Sequence, residues 1–162
     1  MDQTRLREPS QRVSPRARLM WRVTALVESL ALVAALFATT LWWGWFDLAW
    51  WMPVALVAAL AAYIVVMPTW RYAVHRWEVT ATAVYTQTGW LTIERRIAPM
   101  SRIQTVDHAQ GAVSRLFGLA SVTVTTASAA GALEIAGLDR QRARELVDEL
   151  TIQADAVDGD AT

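Results

Sequence analysis

Two long apolar runs fill the first half of the chain, and short alternating segments fill the second. Val23–Trp43 is a hydrophobic run interrupted early by Thr24, Glu28 and Ser29, and Leu48–Met67 carries no charge. Twenty helical residues at about 1.5 Å each cover about 30 Å, the thickness of a bilayer's hydrocarbon core. Only Gly44-Trp45-Phe46-Asp47 separates the runs, so they are expected to fold back on each other as a transmembrane hairpin over residues 21–68, with spans at about 23–43 and 48–67. Pro53 falls in the first turn of the second span, where its missing N–H costs little, and Pro68 is expected to close it. A cleaved signal peptide is the rival reading. The length of the first run, the lack of a small-residue cleavage site and the immediate second span argue against it.

From Arg71 onward the period changes. Tyr72–Thr80, Ala83–Thr88, Trp90–Ala98, Arg102–His108, Ala120–Ala127 and Leu133–Ala136 read as strands rich in β-branched and aromatic residues. Gly111–Gly118 is bracketed by glycines and predicts a compact turn or one helical turn. After Asp139, a credible N-cap, Ala143, Leu146, Val147 and Leu150 recur at helical spacing, with Arg140, Arg144, Glu145, Asp148 and Glu149 opposite. Six or seven short strands and one amphipathic helix predict a strongly bent antiparallel sheet or barrel whose open end the helix covers. Residues 1–20, with scattered arginines, prolines and serines, are expected to be a disordered basic tail, and residues 154–162 a disordered acidic one.

Composition narrows the function. The chain has 162 residues, of which 54% are hydrophobic and 19% charged, with 15 basic and 15 acidic side chains. Every basic residue is arginine. A neutral chain argues against a dedicated nucleic-acid binder. With no cysteine and only His75 and His108, thiolate metal sites and cysteine nucleophiles are excluded, and zinc or histidine acid–base chemistry has few candidates. Asp107-His108 with His75 is the one conceivable acid–base set. Neighbours on a strand point opposite ways and no serine elbow accompanies them, so no catalytic role, no metal and no cofactor are expected.

Seven of the nine tryptophans lie between Trp21 and Trp70. Trp42, Trp43, Trp45, Trp50 and Trp51 crowd the hairpin turn and Trp21 and Trp70 the opposite end, the arrangement of two interfacial belts. The basic tail and Arg71 and Arg76 flank the spans, whereas the turn carries Asp47 and no arginine. The positive-inside rule then expects a multi-pass inner-membrane protein with both termini cytoplasmic.

The segments RWEVTATAVYTQTGW, ERRIAPMSRIQTVDHAQG, SRLFGLASVTVTTA and IAGL resemble the bacterial PH-like membrane-flanked domain of YdbS-like proteins. The most specific pieces are Pro99, Arg102, Ile103 and Gln104, followed by Gln110 and Arg115-Leu116-Phe117-Gly118-Leu119. The resemblance covers about Tyr72 to Leu150, and the hairpin matches the family's usual arrangement. It implies an α+β chain with membrane helices: a two-helix transmembrane hairpin, then a PH-like antiparallel β-barrel or sandwich over residues 70–153, capped by a C-terminal helix. One departure is that the turn Thr80-Ala81-Thr82 lacks acidic residues. Fold alone does not fix function. The resemblance implies a poorly defined role in the bacterial envelope and, as partner, another membrane protein with related PH-like domains.

Two site candidates remain. Arg76, Arg96 and Arg102 could pair with lipid phosphates. Arg96 is the better outward residue of its strand, because alternation puts Arg95 beside Ile93 and Ile97. From Arg71 to Arg115 six arginines face Glu78, Glu94 and Asp107, a net of +3, and the plainer reading is a membrane-facing surface without a defined pocket. Glu28, inside the first span, shares a helical face with Ala31, Ala35 and Thr39, and the second span offers Ala55/Ala59 and Ala58/Ala62, faces suited to helix packing. Glu28 could then meet a partner subunit in a homo-oligomer, or stay hydrated near Arg22 or Thr24. The expected function is a non-enzymatic interaction or assembly platform on the lipid bilayer, with anionic-lipid binding as the alternative.

Overall fold

A computed structural model describes residues 8–43, 49–90, 92–127 and 131–159. Expectations for residues 1–7, the turn Gly44–Asp47 and residues 160–162 lie outside them. The chain opens with β1 (Gln11–Arg12), then α1 (Pro15–Trp43) and α2 (Trp51–Val74). Both helices are long and apolar enough to cross a membrane. At 29 residues, α1 is about 44 Å long, more than a bilayer core requires. Its surplus is the N-terminal end, and that end is built into the domain that follows.

The β module consists of β2 (Arg76–Val79), β3 (Ala83–Gly89), β4 (Ile93–Pro99), a 3₁₀ turn (Met100–Arg102), β5 (Ile103–Ala109), the single-turn helix α3 (Ala112–Leu116), β6 (Leu119–Thr126), β7 (Leu133–Asp139) and α4 (Arg140–Gly159). Strands β1-β2-β3-β4 form one antiparallel sheet and β5-β6-β7 a second. Trp77, Val84 and Ala98 of the first sheet and Leu119, Val122, Val124, Leu133, Ile135 and Leu138 of the second bury a shared core. Ala143, Leu146 and Leu150 close it from α4 with no exposed surface, as their three- and four-residue spacing predicts. From the same helix, Arg142 stacks over Trp77 of the first sheet, 5.4 Å from the ring centre, so α4 spans both sheets. The departure at the β2–β3 turn is made good locally. The Thr80 hydroxyl accepts from the Ala83 N–H at 3.2 Å, doing what a turn carboxylate would do.

Several expectations are corrected. The basic tail is ordered from Pro9 on. Val13, Ala17 and Trp21 are buried in the module core, and the four-residue stripe continues through Ala25 and Ser29. Exposed arginines on the other faces hid that period. Trp21 is therefore a core residue, not a member of an interfacial belt. Pro68 does not end the second helix, which runs through it to Val74; it therefore takes in Tyr72–Val74, which had been read as strand. The last helix absorbs the start of the expected acidic tail and continues to Gly159. In β4 alternation does not separate a buried from an exposed face. Arg96 lies in register with buried Thr86 and is 47% exposed, more than Arg95 at 33%, as expected, but Ile93 and Ile97 are about half exposed too, which alternation did not predict.

Candidate functional site

Where α2 meets the module, one backbone carbonyl organises the junction. Arg71 O accepts both the His75 N–H and the His75 Nδ1–H, each at 2.9 Å, which caps the helix and fixes the ring tautomer. The His75 ring lies 5.1 Å from Trp21, and the Arg71 guanidinium stacks on the same indole at 4.4 Å. The last carbonyl of α2, Val74 O, accepts from Gln87 Nε2 at 3.1 Å, and Gln87 Oε1 accepts from Arg95 Nε at 2.9 Å. Arg95 and Arg76 both reach Glu8, at 3.2 and 3.7 Å. One carbonyl at the helix end is thus satisfied by the helix's own capping residue and another by the first sheet, so the hairpin and the β module are joined without a flexible linker.

Beside this junction two cavities share Arg71, His75 and Thr88 as walls. One, of about 320 Å³, is mostly polar: Thr86, Glu94, Arg96 and Glu134 line it, with Ala132 and Ala136. The other, of about 350 Å³, runs along α2 and is lined further by Tyr63, Met67, Gly89 and Trp90. Trp90 is held over the helix by a hydrogen bond from Trp70 Nε1 to its carbonyl at 2.7 Å and by an edge-on contact with Tyr63. Burial, reinforced by the Arg71 charge, pulls the His75 pKa down to about 4 against the opposing effect of its own hydrogen bond. His75 is therefore neutral at pH 7. The formal charges around the polar cavity are Arg71 and Arg96 against Glu94 and Glu134, which cancel. Arg96 is engaged with Glu94 at 3.3 Å and with the Ala132 carbonyl at 3.3 Å. A wider, open basin lies between the starts of α1 and α4, walled by Arg16, Asp139, Arg140 and Arg144; there Arg16 lies 3.5 Å from Asp139.

The three arginines singled out from the sequence stand apart in the fold. Arg76 is on β2 with Glu8, Arg96 lines the polar cavity from β4, and Arg102 is exposed at the end of the 3₁₀ turn. Glu28 is exposed on α1. The residues of α1 buried at that level are instead Ala25 and Ser29, and Ala55, Ala58, Ala59 and Ala62 are exposed like Glu28. His75 and His108 sit on different elements, the first buried and the second exposed on β5. Among the described residues no group of three or more His, Cys, Asp or Glu could hold a metal ion. Sequence reasoning missed Arg71, Glu134 and Trp90 as neighbours of one groove. The only signal was a tryptophan placed just after a strand-ending glycine.

The family model described as a bacterial PH domain matches residues 21–153, hairpin and β module together. The chain is also similar to the UPF0699 transmembrane protein YdbS of Bacillus subtilis (strain 168). The two are 29% identical over 157 residues, covering 94% of this chain and 98% of the relative. No solved structure matches.

Proposed function

Since this chain belongs to the bacterial PH domain family and is a transmembrane protein, we propose that it is a non-catalytic assembly platform whose β module is held against the cytoplasmic face of the cell membrane. The observation that carries this reading is the rigid join. Ala17 and Trp21 of the first helix, with Val13 just before it, lie in the module core, so the bilayer dictates which way the module faces. A module held in the membrane plane meets other membrane proteins at high effective concentration, and weak contacts suffice.

The surface best suited to such contacts is β4. It is the terminal strand of its sheet, and its outer face presents Ile93 and Ile97 at 47% and 46% exposure. An open strand edge beside apolar side chains is a template for pairing with another chain. The proposed partner is another membrane protein with related PH-like domains. Full-length protein carrying a photocrosslinker at Ile97 is expected to give a discrete protein adduct in native membranes. Labelling of lipid alone would overturn the platform reading.

Orientation is part of the same proposal. Arg71 and Arg76 at the module end, against Asp47 at the turn, favour termini on the cytoplasmic side. Protease added to intact spheroplasts is expected to spare the β module, and trimming of the module would reverse the assignment.

A further inference from the structure

The groove at the junction of α2 and the β module is charged at one end and apolar at the other, and the apolar end runs along a membrane-crossing helix. We propose that it seats a phospholipid with an amine-bearing headgroup, the phosphate on Arg71 and the ammonium at Glu134, with the start of an acyl chain against Tyr63, Met67 and Trp90. The inference does not depend on any protein partner.

Position supports it first. Tyr63 and Met67 belong to the apolar part of α2, and the next helical turns carry Trp70 and Arg71, so the groove crosses the depth at which a lipid passes from tail to headgroup. Its apolar wall is held in place, because Trp70 donates to the Trp90 carbonyl and Tyr63 meets the Trp90 ring. Cavities of about 320 and 350 Å³ fall within the roughly 300–1,000 Å³ typical of small-molecule sites.

Charge then selects the headgroup. A site for an anionic lipid would present surplus positive charge, and here the lining is balanced. Arg96 and Glu94 are paired with each other. That leaves Arg71, stacked on Trp21 with no carboxylate within ion-pair distance among the described residues, and Glu134 across the same cavity. A separated cation and carboxylate match the internal charge separation of a zwitterion. Guanidinium suits phosphate by its forked geometry, and a primary ammonium offers three N–H donors to a carboxylate. Neutral His75 adds no positive charge that would favour a net anion.

The test uses the full chain in detergent, with phosphatidylethanolamine, phosphatidylcholine and phosphatidylglycerol of identical acyl chains added in turn and bound lipid counted by native mass spectrometry. The wild type is expected to retain phosphatidylethanolamine above the other two. Arg71→Gln is expected to lose about tenfold in that retention, the scale of one charge-assisted hydrogen bond, and Arg71→Lys, which keeps the charge but loses the fork, to fall between that variant and the wild type. Glu134 is exposed, so Glu134→Gln is expected to fold normally and to bind phosphatidylethanolamine and phosphatidylcholine alike. Arg142→Gln, on α4 and outside both cavities, is expected to leave the lipid preference unchanged. Equal retention of all three lipids by the wild type, or an unchanged preference in Glu134→Gln, overturns the proposal.

Discussion

Gly137 on β7 stands so close to Ala17 on α1 that a Cβ built on the glycine would lie 2.8 Å from the Ala17 Cβ. The glycine has φ +76°, its carbonyl accepts from the Ser14 N–H at 2.9 Å, and Trp21 and Val13 flank the contact. This is where the membrane helix is fastened to the sheet. A side chain here meets both a left-handed backbone and a filled space, so Gly137→Ala is expected to cost about 2–4 kcal/mol. Adding Ala17→Gly should recover the part due to overlap and leave the backbone part. Denaturation midpoints of the four proteins in detergent decide it; strictly additive losses would mean that the two residues do not touch.

The same fastening predicts how the chain can be divided. A fragment of residues 72–153 contains every strand from β2 onward but lacks Val13, Ala17 and Trp21, which belong to the same core. Removing three buried side chains leaves a cavity over Leu138 and Gly137, a loss of several kcal/mol from a small domain of marginal stability. The fragment is expected to be protease-sensitive and to give poorly dispersed amide resonances. A well-dispersed spectrum from residues 72–153 alone would show that α1 is merely an anchor.

His75 gives the junction a pH dependence of definite sign. Its pKa is about 4 in the folded protein against an ordinary 6.5, chiefly because the ring is buried. Between those values the unfolded chain takes up a proton that the folded chain refuses, so stability falls as pH drops from about 6.5 to 4. Above 6.5 the ring is neutral in both states and contributes no slope. Carboxylates in general lose charge toward the lower end of that window, so the comparison must be with His75→Asn, whose amide can still donate toward Arg71 O. The variant is expected to show a shallower loss of thermal midpoint over that window. Parallel curves for the two proteins would contradict the assignment.

What the sequence displayed openly was periodicity. The two spans, the succession of strands from β3 on and the buried face of α4 all follow from spacing, and Ala143, Leu146 and Leu150 lie where their pattern put them. What it concealed was proximity between distant segments. Arg71, Glu134 and Trp90 become neighbours only because the end of α2 fits against the gap between the first sheet and β7. Ile93 and Ile97 misled for a related reason. Their alternation is genuine, but that end of β4 is exposed on both faces: Glu94 and Arg96 rim the polar groove on one side and the isoleucines stand out on the other. Pro68 misled because losing one N–H costs less in a helix that neighbouring elements support.

A one-residue offset separates two accounts of the hairpin. Ser29 is buried at 6% exposure on the stripe it shares with Ala25, whereas Glu28 is exposed. If the stripe holds the helices together, extra volume is harmful at 29 and tolerated at 28. Ser29→Leu is expected to cost about 1–3 kcal/mol through overpacking, while Glu28→Leu should stay within about 0.5 kcal/mol of the wild type. Thermal midpoints of the two variants in the same detergent separate the cases. A hairpin packed through Glu28, Ala31 and Ala35 would reverse the order. Glu28→Leu keeps the helix while deleting the carboxylate, so it also tests whether that charge contributes between chains: a fall in dimer crosslinking with an unchanged midpoint would assign Glu28 to contact with a second chain rather than to the fold.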